Sequence, residues 1–223
     1  MKLLTIIFLL SSSIVFAQDH DIAHFSVWNP KQATNFQNGY KQHLLWHKAN
    51  KDTWSWYGWY IISGPRDGQF IDATFGHSWA DFDNPVNPAG DEANNELHTE
   101  PFADFLRSYK VALMPFSDKP DQQFIASKML RMLTVDVSDI NQAAKIVEKV
   151  MTDSKQRALT NKFVVFDVVD GGSVQQLIIL IPVSNNAGML HMQEIQNSLQ
   201  GKGNIITGIT AETLLFQPEM STN

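Results

Sequence analysis

Two features of this chain have residue types and spacing that bear on chemistry. One is the pair His43 and His47 in "YKQHLLWHKAN"; the other is the aromatic run "TWSWYGWY" just beyond it. On a helix, a spacing of four puts both imidazoles on one face, where they can share a metal ion. The intervening residues are Leu44, Leu45 and Trp46, so the glutamate of an HExxH zinc helix is missing. Spacing fixes no third ligand; His77 and the carboxylates of the acidic segment 80–98 are the candidates. The competing arrangement is an imidazole pair hydrogen-bonded between helix and sheet, in which His47 serves stability rather than activity.

Trp54, Trp56, Tyr57, Trp59 and Tyr60 precede the turn "GPRDG", and "QFIDATFGHSW" follows it. Aromatic and β-branched residues on both sides of such a turn predict a hairpin. With Pro65 opposite Gly68, Ile62 faces Ile71 and Tyr60 faces Ala73 on an apolar side. Tyr57, Trp59, Asp72 and Thr74 then share the other, mixed side. Rings with a few polar groups describe a small-molecule pocket as well as an interface between two sheets, and both readings stay open. On the pocket reading, Tyr57, Trp59, Asp72 and Thr74 are the ligand-binding set. Asp72, among rings, is a candidate general base, and His47 is the other catalytic candidate.

The elements that position these groups read as a repeat. The first half gives a strand at 24–28, a helix from Pro30 to about Asn50, the hairpin, an acidic loop 80–98, a helix over 99–110 and a short strand in "VALMPF". The second half gives a strand within 124–137, a helix capped by Ser138 or Asp139, a hairpin about Asp170–Gly172, a helix ended by glycine and a last strand to Phe216. Each half therefore runs βαββαβ. Right-handed crossovers place both helices of a half on one sheet face, which leaves the other face for the partner half. The expected fold is α+β: two fused halves, 18–118 and 119–223, whose sheets face each other as an α/β barrel. The loop 80–98 carries Asp81, Asp83, Asp91, Glu92 and Glu96 and reads as a solvated lid over one mouth; its acids do not fall in an EF-hand register.

The first 17 residues, one lysine followed by an apolar run and small residues at Val15 and Ala17, read as a signal peptide. Its removal takes Lys2, the one charged residue of that stretch, and moves the formal net charge from -6 to -7. The expected location is periplasmic or secreted, with no membrane segment left after cleavage. The acidic balance argues against nucleic acid as a partner. The chain has no cysteine, so an exported form relies on its core rather than on disulfides.

The doubled βαββαβ order over roughly 24–216 resembles the dimeric α/β-barrel superfamily of ferredoxin-like folds. That group includes monooxygenase-like proteins and, with both halves in one chain, chlorite-dismutase-like haem proteins. The block "W..YG....SG.RDG.F.DATFGHSW.DFD" also looks like one from exported bacterial proteins of unassigned role. The resemblance implies a haem whose axial ligand is a helix histidine, with His47 the best match and Arg66 or Arg107 as polar partners. In those haem proteins the cofactor belongs to the second half, whose helix here, over 139–159, has no histidine. The expectation is therefore a small-molecule-binding protein with an aromatic-lined pocket and no cofactor. The alternative is an oxidoreductase of the α/β-barrel type, cofactor-free or haem-assisted, that uses His43, His47 or Asp72. A divalent metal on His43, His47 and His77 is the second cofactor expectation beside haem, and a protein or glycan interaction module is the third reading.

Overall fold

The computed structural model describes residues 21–222; the expected signal peptide lies outside them. The first half comprises β1 (Ile22–Pro30), α1 (Ala33–Ala49), β2 (Tyr57–Ser63), β3 (Phe70–His77), α2 (Pro88–His98) and β4 (Ala103–Leu113). A single turn, α3 (Gln122–Ile125), leads to the second half: β5 (Met129–Val137), α4 (Ile140–Gln156), β6 (Val164–Asp170), β7 (Gln176–Val183), α5 (Met189–Gln200) and β8 (Ile206–Phe216). The described strands close into one barrel in the order β1-β3-β2-β8-β5-β7-β6-β4, every pair antiparallel. Within each half the order is the ferredoxin-like one, and β2–β8 and β4–β6 join the halves. None of the described helices is long and apolar enough to cross a membrane.

Side chains alternate across a strand, so closure sends one set inward and the other beneath the helices. Phe25, Trp59, Ile71, Leu130, Met132 and Phe166, each at most 1% exposed, fill the interior. Near one end Arg66, from the β2–β3 turn, pairs with the buried Glu212. The second-half helices seal the outer face of their strands with Leu133, Val147, Met151, Leu177, Ile179 and Ile195. The first-half layer is different in kind: its apolar part (Trp28, Phe36, Tyr40, Leu44, Phe70) adjoins buried polar groups, His43, His47, Asp72 and Thr74.

Three expectations are corrected. Residues 99–110 are no helix: Phe102, Phe105 and Leu106 sit at helical spacing, but the chain pairs with β1 from Ile22↔Ala112 to Pro30↔Ala103 and extends to β6. Two ladders outweigh local propensity. The segment 80–98 is no loop: a 3₁₀ turn (Trp79–Asp83) leads to α2, which starts at Pro88 with the Asn87 side chain accepting from the Gly90 amide. Of the α2 side chains none is buried, so hydrophobic periodicity had nothing to register. In the hairpin, Trp59 pairs with Ile71 and Tyr57 with Ala73, three residues from the expected register, because the turn already begins at Gly64. An odd shift changes which residues share a face. Tyr57 and Trp59 go into the barrel, while Asp72 and Thr74 go under the helices.

Trp59 is thus core and not a docking surface. Trp59→Ala is expected to cost about 3–5 kcal/mol by the usual scale for buried aromatics, measured by urea unfolding, with no change in association state.

Candidate metal centre

The centre is built from α1 outward. The face of α1 toward the sheet carries Phe36, Tyr40 and Leu44, and next to these His43 and His47, 6% and 7% exposed. The helix ends at Asn50; Lys51 takes a positive φ of 60° and turns the chain back, so that Asp52 comes under the last turn. There the Asp52 Oδ2 accepts from His47 Nδ1 at 2.8 Å and from the Trp56 indole at 3.1 Å. His43 Nδ1 meets Asn94 Oδ1, on α2, at 2.9 Å. Both acceptors fix the ring proton on Nδ1 and leave each Nε2 with a free lone pair, the outer-shell arrangement of metal-binding histidines.

Those two lone pairs face each other. His43 Nε2 and His47 Nε2 are 3.0 Å apart, and Asp91 Oδ1, also from α2, lies 3.3 Å from the first and 3.5 Å from the second. The Asp91 Oδ1 is buried and accepts no hydrogen bond. Donors about 2.0–2.2 Å from one ion are separated by about 3.0 Å in octahedral and about 3.4 Å in tetrahedral geometry, given ordinary zinc–ligand lengths. The observed triangle falls on those separations. Among the described residues this is the grouping of His and carboxylate side chains with metal-binding geometry. Burial pushes the His43 imidazole down to about 4 and raises the Asp91 carboxyl, with the Asp52 charge adding to the latter. A divalent cation between the three atoms reverses both tendencies.

The donor triangle opens on a cavity of about 260 Å³ between α1, α2 and the outer face of β1 and β3. Trp28, Tyr40, Trp56 and Phe105 supply its rings; Asp72, Asp91, Glu92 and Glu100 supply carboxylates, and no lysine or arginine lines it. Asp72, 3% exposed, accepts from the Trp28 indole at 2.9 Å and from the hydroxyls of Tyr40 and Ser26. Burial pushes its carboxyl up to about 7 despite those donors.

Of the residues singled out from sequence, His43, His47 and Asp72 meet at this cavity. Tyr57 and Trp59 lie on the opposite side of the sheet. Thr74 is taken up by His77, its Oγ1 2.6 Å from Nε2, and His77 lies against Trp54 with ring centroids 4.1 Å apart, away from the triangle. Arg66 is held by Glu212 and Arg107 reaches over the Tyr109 ring, so neither lines the cavity. The residues that sequence reasoning did not single out are Asp91 as a specific ligand, Asn94 and Asp52 as orienting groups, and Trp28 and Tyr40 beside Asp72. The Asn-Pro start of α2 was the available signal, since a helix from Pro88 puts Asp91 and Asn94 on one face.

What holds α2 in place is backbone proximity and these polar contacts. A methyl group on Gly39 would lie 1.6 Å from the His98 carbonyl oxygen, so only glycine lets α2 approach α1 this closely.

The sequence matches no known protein-family model and no curated protein. Solved structures share its fold at low identity. A candidate monooxygenase from Lactobacillus acidophilus superposes with a TM-score of 0.56 at 10% identity, covering 91% of this chain and 97% of its own. A mutant chlorite dismutase from Candidatus Nitrospira defluvii gives 0.58 at 5% identity, with 92% and 94% covered. A haem-binding protein from Thermus thermophilus gives 0.51 at 10% identity, with 90% and 92% covered. The chain thus has the ferredoxin-like α/β-barrel fold of monooxygenase-like and chlorite-dismutase-like proteins; at these identities the likeness concerns fold, not activity.

Two outcomes follow from the geometry. Gly39→Ala is expected to push α2 away and weaken metal binding about 10- to 100-fold, the range for disturbed outer-shell groups, with the barrel amides still protected in hydrogen exchange. Asp72 holds a proton in the folded chain between its ordinary 3.8 and about 7, where the unfolded chain has lost it. Its contribution to stability is therefore full below 3.8 and lost as pH rises through about 7. His24 and His43, both lowered to about 4 chiefly by burial, act oppositely, their contribution being lost as pH falls from 6.5 toward 4. Both histidines are common to wild type and variant, so the melting temperature of Asp72→Asn relative to wild type should rise between pH 5 and pH 8.

Proposed function

We propose that this protein is an exported, metal-dependent oxidoreductase that holds a divalent transition-metal ion on His43, His47 and Asp91 and takes a small molecule into the adjoining cavity. The observation that carries the reading is the convergence of two buried Nε2 lone pairs and one buried, unpartnered carboxylate oxygen. Two imidazoles and one carboxylate leave coordination positions free for substrate or oxidant, the donor set of non-haem iron sites and of open zinc sites. Asp52 and Asn94 hold the ring orientations. The dication offsets the charges of Asp91 and Asp52, whose basic neighbours at the triangle are the imidazoles of His43 and His47. The ring-lined cavity limits water around the ion and gives an uncharged ligand surface to pack on.

Haem, which the fold neighbours suggest, does not fit the residues present. In the second half, Val147, Met151, Val165, Leu177, Ile179 and Ile195, all at 0% exposure, fill the layer between helices and sheet. The α4 helix has no histidine, and His191 on α5 points to solvent. In the first half, four carboxylates and no lysine or arginine line the cavity, so haem propionates would meet like charge.

The test is metal titration of the chain from Gln18 onward after chelator treatment, followed by elemental analysis and cobalt(II) absorption. One ion per chain is expected, with a stabilisation of about 2.7 kcal/mol at a hundredfold excess over Kd. His43→Ala, His47→Ala and Asp91→Ala should each lose at least about 100-fold in affinity, and His77→Ala should bind as wild type. Equal uptake by wild type and His43→Ala, or a Soret band on haem addition that needs His47, would overturn the proposal.

A further inference from the structure

The metal reading leaves one buried titratable group without a task. Asp72 lies in the middle of β3, on a stretch of sheet otherwise given to packing, and its carboxyl borders the cavity. Its hydrogen-bond donors, the indole of Trp28 and the hydroxyls of Ser26 and Tyr40, are all neutral. The titratable groups that act on it are Tyr40 on α1 and Asp91 on α2, and β1 directs the neutral donors Trp28 and Ser26 to it. His24 on β1, His43 and His47 on α1, Glu92 on α2 and Glu100 line the same cavity. A buried carboxylate with no cationic partner is costly, and an amide or hydroxyl in its place would keep the hydrogen bonds without the charge. What asparagine could not do is take up a proton.

The cavity also limits what can supply that proton. Its walls are aromatic, its rim carries Glu92 and Glu100, and besides the imidazoles of His24, His43 and His47 no lysine or arginine lines it, so an anionic ligand finds no permanently charged side chain to pair with. A cationic ligand competes with the metal ion for the same carboxylates. An uncharged molecule meets neither obstacle and packs on the rings.

Resting on the metal reading, we propose that Asp72 is the proton acceptor of this cavity and that the ligand is a small, uncharged molecule with an acidic hydroxyl. The hydroxyl O–H bond breaks, the proton passes to a carboxylate oxygen of Asp72, and the electron pair stays on the ligand oxygen, which becomes an oxyanion available to the metal. No oxidant is needed for this step. The Trp28 indole and the Tyr40 hydroxyl hold the carboxylate toward the cavity, so Tyr40 is a positioning residue.

Phenol serves as the probe, with anisole as the counterpart lacking the proton, benzoate as the anion and benzylamine as the cation. Binding to zinc-loaded protein is followed by fluorescence of the cavity tryptophans and by calorimetry in two buffers of different ionisation enthalpy. Phenol is expected to bind, anisole and benzoate at least about tenfold more weakly, a difference equal to about 1.4 kcal/mol. Phenol affinity should fall as pH drops into the range where Asp72 takes up its proton, a range that burial raises above that of an ordinary carboxylate. Asp72→Asn should bind phenol about tenfold more weakly, with that pH dependence gone. Tyr40→Phe removes a donor that stabilises the ionised form, so the midpoint should move to higher pH; this variant also serves if Asp72→Asn fails to fold. Phenol binding that is equal in wild type and Asp72→Asn at every pH, or a preference for benzoate or benzylamine, overturns the inference. So does zinc uptake without phenol binding, which leaves the metal reading intact; failure of zinc uptake by itself sinks the metal reading instead.

Discussion

Eight strands that close on themselves enclose an interior filled by Phe25, Trp59, Ile71 and Phe166. The ladders β2–β8 and β4–β6 make that closure, and they are the constraint on which the site depends. A side chain of β1 or β3 that does not point into this packed interior must point beneath α1 and α2. Polar residues on that face, Ser26, Asp72 and Thr74, are thereby brought against His43 and His47. The interior supplies stability and the outer layer of the first half is left to supply chemistry.

The two halves show this division by contrast. Both have the same strand order and two helices on the same face, yet α5 buries Met192, Ile195 and Leu199 in its sheet while α2 buries nothing. The second-half layer is a continuous apolar seal. In the first half the corresponding helix stands off the sheet, leaves a cavity, and touches α1 through Gly39 and through the contacts of Asp91 and Asn94 with His43. An ion held between α1 and α2 would add to α2 the attachment that hydrophobic burial gives α5.

Much of the fold was legible in the chain. The α4 helix announces itself by its cap at Asp139 and its apolar face, and the alternation of β-branched residues marks β6 and β7. The failures share a physical cause: each concerned an element held by something other than its own pattern. The strand β4 has its outer Phe105 and Leu106 about half exposed and is held by pairing on both sides. The α2 helix is capped at Asn87 but has no apolar face to reveal it. The hairpin register depended on where a glycine with a φ of 105° begins the turn.

The sequence by itself determined that His43 and His47 share a helix face and that two βαββαβ units follow one another, because these depend on helical and strand periods intrinsic to the chain. Only the tertiary structure decided that Asp91, forty-four residues beyond His47, completes a triangle with it, that Asp72 rather than Tyr57 and Trp59 borders the cavity, and that His77 goes elsewhere. Distances between helices and the facing of a strand are fixed by closure of the barrel and by the approach of α2 at Gly39, and no local spacing encodes either.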